Sequence, residues 1–108
     1  MVLGIVVAGC ATGPTSAPSS QVQQRIEAAQ TRTDHEALAV YYDNEAVGAR
    51  AKGAEHRKMA KSYQTVQSRD SGTMAAHCST LVRSYEGIAA DYEVMAAGHR
   101  QMAGQAKP

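Results

Sequence analysis

Between Pro18 and Pro108 the chain contains no proline, and over most of that length its larger side chains recur in steps of three and four. An α-helix turns such spacing into one continuous stripe, whereas a strand needs alternation, so the pattern predicts helix and little else. From Thr33 onward the steps select His35, Leu38, Tyr42, Glu45, Ala49, Lys52, His56, Met59, Tyr63 and Val66. After a break they select Met74, Cys78, Leu81, Tyr85, Ile88, Tyr92, Met95, His99 and Met102. Both series follow a heptad seam. The second is apolar except at His99. The first is weakened at Glu45 and Lys52, where Ala46, Gly48 and Gly53 suggest close backbone approach instead.

The break is "SRDSG" at 68–72, a run of small polar residues with a glycine, which is turn chemistry. Thr33-Asp-His-Glu36 reads as a capping box opening the first long helix over 33–67, and Thr73 can cap a second over 73–104, before Gly104 and Pro108. A further box at Ser20-Gln-Val-Gln23 opens a short amphipathic helix over 20–31, with Val22, Ile26 and Ala29 on one face. At 1.5 Å per residue each long helix measures about 50 Å, and a short turn folds the pair into an antiparallel hairpin. The fold class expected is therefore all-α: a long two-helix hairpin over 33–104 with a short N-terminal helix. A lone hairpin covers one face of each helix, so dimerisation into a four-helix bundle, or docking of the short helix, is expected to cover more.

The two long helices also resemble each other. A shift of 43 residues aligns Leu38 with Leu81, Tyr42 with Tyr85, Ala46 with Ala89, and "HRKMA" at 56–60 with "HRQMA" at 99–103. Because Tyr, His and Met coincide as well as Ala, duplication of one helix explains the match better than shared alanine content.

The N-terminus carries a different message. "MVLGIVVAGC" is apolar and ends in small residues before Cys10, which resembles a bacterial lipobox, although the run is too short to span a bilayer and lacks a basic leader. The expectation is a truncated lipoprotein signal over 1–9, lipidation at Cys10, and a flexible tether over 10–19, "CATGPTSAPS". The protein would then sit in the periplasm on a membrane anchor, with Ala11 after the cysteine favouring the outer membrane. Cys78 would be the one thiol left in the folded part, which in an oxidising compartment invites a ligand role or an intermolecular disulfide.

Charge excludes one large class. With 11 basic and 10 acidic residues mixed along the chain, no basic face is available for nucleic acid. No Gly-rich phosphate loop or nucleophile constellation is present, and Cys78 and His77, adjacent on a helix, point about 100° apart. An enzyme is not expected.

The chemistry that remains is soft. Folding the hairpin about Asp70 groups His56, Met59, Met74, His77 and Cys78 near the turn, and His35, His99 and Met102 near the termini, with Met95 a turn further in. Thioether, thiolate and imidazole together suit Cu(I) best, with zinc or silver as alternatives. Haem is disfavoured, since there is no C-x-x-C-H and no Phe or Trp to line a porphyrin pocket. Set against a metal is ordinary packing, because Met fills irregular gaps in many cores and a histidine beside it is commonly just hydrogen-bonded. Two functions follow: a lipid-anchored periplasmic hairpin that buffers a soft metal, or a structural envelope lipoprotein that self-associates through Ala-rich seams and binds no ligand.

The stretches "DHEALAVYY", "AEHRKMAKSY", "AAHCSTLVRSY" and "HRQMA" together resemble a class of small uncharacterised proteobacterial lipoproteins and exported proteins. That resemblance implies an exported helical hairpin and no particular activity.

Overall fold

The computed structural model describes residues 19–108; the lipobox-like segment and nearly all of the expected tether, Cys10 included, lie outside the described residues. Three helices follow in order: α1 (Ser19–Ala28), α2 (Arg32–Thr65) and α3 (Ser71–Gln105). No β-strand occurs among the described residues, and none of the described helices is long and apolar enough to cross a membrane. The long helices α2 and α3 pack against each other, with buried positions from Leu38 to Ala60 and from Ala75 to Ala103, and α1 touches α2 alone among the described helices.

Helix ends differ from expectation in instructive ways. The capping box of α2 uses Thr31 rather than Thr33: the Thr31 hydroxyl accepts from the Asp34 backbone N–H, and the Asp34 carboxylate accepts from the N–H of Thr31 and of Gln30. Starting two residues earlier lets one carboxylate satisfy two backbone donors that a box at Thr33 would leave open. Helix α3 begins at Ser71 with Asp70 as its N-cap and no side-chain cap, so Thr73 is already helical. Ser20 likewise lies inside α1. The open end is tied by one backbone bond, from the Arg32 N–H to the Lys107 carbonyl at 3.0 Å, which clips the C-terminus to the start of α2.

The seam also departs from the expected one. Along α2 the buried positions are Leu38, Ala39, Tyr42, Ala46, Ala49, Gly53 and Ala60; along α3 they are Ala75, Cys78, Val82, Ala89, Ala96, His99 and Ala103. One position per heptad is as predicted, carrying the rings and the thiol. The other is shifted by one residue, onto a layer of Ala, Gly and Val. Glu45, Lys52 and Met59 therefore leave the seam, and so do Met74, Leu81, Ile88, Met95 and Met102. The physical reason is room. Two helices closing over tyrosine and histidine rings leave space beside each ring for a methyl group but not for a second large side chain.

Close approach is visible at Gly53, where an added Cβ would stand 3.5 Å from the Tyr85 Cβ and 3.7 Å from the Val82 carbonyl oxygen. Gly48, expected to share that role, is exposed with nothing near it.

The hairpin has two unlike flanks. On one, Arg50 pairs with Glu93 at 2.6 Å, Arg57 with Glu86, and Arg100 with Asp43. Each step of seven forward on α2 is matched by seven back on α3, so these exposed pairs lock the register, although surface pairs add little stability. The opposite flank carries Met74, Leu81, Ile88, Met95 and Met102, one per heptad and each 39–45% exposed.

Because a methyl group at Gly53 would make ordinary contacts, Gly53→Ala is expected to raise stability by about 1 kcal/mol through helix propensity. Ala89→Leu, which forces an isobutyl group into the same layer, is expected to cost about 1–3 kcal/mol. Urea unfolding of both variants measures the two signs.

Candidate functional site

The duplicated phrase acquires a geometry in the hairpin. Shifting by 43 residues while exchanging the helices maps the Asp43–Arg100 pair onto Glu86–Arg57, and Arg50–Glu93 onto itself. The aromatic contacts obey the same operation: Tyr42 stacks on His99 with ring centroids 5.5 Å apart at 13°, and Tyr85 stacks on His56 at 5.5 Å and 10°. Ala46 and Ala89 are buried alike, as are Ala60 and Ala103. Met59 and Met102 are each 44% exposed. The chain thus forms a pseudo-twofold rod, with each His-Arg-x-Met-Ala phrase near one end.

At the open end the structure brings two histidines together. His35 Nδ1 and His99 Nδ1 face each other at 3.2 Å, the rings stacked at a centroid distance of 5.4 Å. His99 is buried between His35 and Tyr42, while His35 keeps partial exposure. One Nδ1 must carry a proton and the other a lone pair for this contact to be a hydrogen bond. Burial, and next the neighbouring His35, hold the His99 pKa below its ordinary value. The carboxylate beside them is fully engaged: backbone N–H groups of Gln30 and Thr31 hold the Asp34 pKa down to about 2, with a smaller contribution from His35. Met102 stands one turn beyond His99 on the apolar flank.

At the turn end the expected set is gathered only in part. Cys78 is a free thiol, buried in the seam, and His56 lies against Tyr85 with its Nδ1 buried and without a hydrogen-bond partner. His77 points to solvent, because a residue adjacent to a seam position is turned about 100° away from it. Met59 and Met74 lie exposed on the apolar flank rather than between the helices. Among the described residues, no three His, Cys, Asp or Glu side chains converge in the manner of a metal centre. Sequence reasoning missed the part played by Tyr42 and Tyr85, which fix the histidine rings. The signal was present, since each tyrosine takes part in the 43-residue repeat together with the histidine phrase.

No family model matches the chain, and no curated protein or solved structure matches it either.

The histidine pair makes stability depend on pH with a defined sign. Since the folded pKa of His99 lies below 6.5, the unfolded chain takes the proton first, so this contribution is complete above 6.5 and is lost as the pH falls through it. The thermal midpoint is expected to decline between about pH 7 and the depressed folded value. In His99→Gln that slope should flatten, whatever the variant's absolute stability; an unchanged slope would show that the pair does not set it.

Proposed function

We propose that this chain is a non-catalytic structural protein of the bacterial envelope, tethered through a lipid on Cys10, which self-associates side by side through the apolar flank of α3. The observation that carries the reading is the stripe Met74, Leu81, Ile88, Met95 and Met102, which runs about 42 Å along one helix, each side chain 39–45% exposed among the described residues. A large contiguous apolar surface on a chain of this size marks an interaction face.

The internal symmetry indicates what shape of partner fits. Leu81 is the counterpart of Leu38 under the 43-residue shift, yet Leu38 is 1% exposed and Leu81 is 40% exposed. Helix α1 packs on α2 close to that position, with Val22 buried and Arg25 over the Tyr41 ring at 6.0 Å, one turn from Leu38. A helix therefore fits this kind of flank, and the once-per-heptad spacing suits a helix lying nearly parallel to α3. Two hairpins joined flank to flank form a four-helix bundle, with the ion-paired edges outward.

Association of this kind links folding to concentration. The thermal midpoint of the purified protein is expected to rise as the protein is concentrated a hundredfold, with sedimentation showing a dimer. The double variant Leu81→Glu/Ile88→Glu should retain its helical circular dichroism, because neither side chain lies in the seam, and should sediment as a monomer at every concentration. A midpoint that ignores concentration in the unmodified protein would end the self-association reading.

Anchoring is tested separately. Bacterial cells expressing the chain should incorporate labelled palmitate into it, and Cys10→Ser should abolish the label. Retention of label in that variant would exclude Cys10 as the anchor.

A further inference from the structure

The pseudo-twofold rod has a consequence for its donor groups that goes beyond self-association. The 43-residue shift carries His99 onto His56, Met102 onto Met59, and His35 onto Cys78. Cys78 therefore holds, in the turn half of the hairpin, the seam position that His35 holds at the open end. Each half thus contains an imidazole stacked on a tyrosine, a thioether one turn further along the same helix, and one donor residue from the facing helix.

We infer that these two sets are a pair of related sites for a d¹⁰ soft cation, of which Cu(I) fits best. The open-end site is His35, His99 and Met102; the turn-end site is Cys78, His56 and Met59.

Geometry supports the open-end site directly. The 3.2 Å between the two Nδ1 atoms is close to the edge of about 3.3 Å that a tetrahedral centre with nitrogen bonds of 2.0–2.1 Å requires. Coordination would require both protons on Nε2, leaving an Nδ1 lone pair on each ring for the ion. Stacking on Tyr42 holds His99 in that orientation, so little ordering remains to be done when an ion arrives.

At the turn end the independent observation is the Nδ1 of His56, a buried nitrogen with no hydrogen-bond partner. Such an atom is costly to bury, and a bound ion is one arrangement that would satisfy it. Cys78, free and buried, would bind as a thiolate and release its proton to solvent on coordination. Met59 and Met102 project onto the apolar flank and have three rotatable bonds each, which suits a thioether closing over a partly formed site. Donor chemistry separates the two ends. The open end is nitrogen-rich and should also accept zinc, while the thiolate at the turn end favours the softer cation.

The decisive experiment is an anaerobic titration of the purified protein with Cu(I) against a competing chelator, with circular dichroism confirming the fold of each variant. Two equivalents per chain are expected. His35→Gln and Cys78→Ala should each retain one, and the double variant none. In ¹⁵N spectra of the imidazoles, His35, His56 and His99 should respond at Nδ1 while His77 does not move. A stoichiometry that is the same in the double variant as in the unmodified protein overturns the proposal, and so does binding reported by His77 alone. A single equivalent in the unmodified protein, abolished by either single variant, overturns the two-site form. None of these outcomes alters whether the protein dimerises, so the self-association reading stands or falls on its own measurement.

Discussion

The close approach of two helices over a layer of very small side chains governs everything else in this molecule. Ala39, Ala46, Gly53 and Ala60 on α2 meet Ala75, Val82, Ala89, Ala96 and Ala103 on α3, one per heptad on each side. Without that layer the backbones would stand further apart, Arg50 would not reach Glu93, and the two imidazole nitrogens would not face each other at 3.2 Å. Packing density rather than bulk holds the rod together, which is how a chain with no Phe or Trp keeps a defined interior. Among the described residues, Leu38 is the one large side chain that disappears completely.

Closing on small residues divides the surface. Large aliphatic and thioether groups that cannot enter the seam collect on one flank, and the charged residues that set the register collect on the other. The 43-residue repeat carries the ion pairs and a similar set of donors into both halves, whereas the apolar flank is largely confined to α3, since Ile88 and Met95 correspond to Glu45 and Lys52. The halves are not identical. Cys78 stands at the position that corresponds to His35, and Leu38 is covered where Leu81 is open, so the two ends differ in chemistry and in exposure.

The helical periodicity, the turn near Asp70 and the repeat were all legible from residue order, because each depends on interactions within one helix or on identity at a fixed offset. The exact seam was not. Met, Leu and Ile outrank Ala on any hydrophobic scale, so a stripe chosen by hydrophobicity lands one residue away from a stripe chosen by fit. Among the donor residues, His35 with His99 was readable because both sit at the ring position of the heptad, which the shift of the seam does not touch. Met59, Met74 and Met102 stand on the flank rather than in the seam through the same one-residue shift that moves Leu81 and Ile88. His77 faces solvent because the residue next to a seam position is turned about 100° away from it on a helix.

Residue order alone determined that the chain is helical, that it turns back once between its long segments, and that its second long segment echoes its first. Hydrogen bonds within a helix and side-chain spacing along it are local, and local rules suffice for those conclusions. Only the tertiary structure decided which stripe is buried, which is left facing outward, and which histidine meets which partner. Those outcomes rest on how closely two surfaces can approach, a property of the pair of helices that neither strand of the repeat carries by itself.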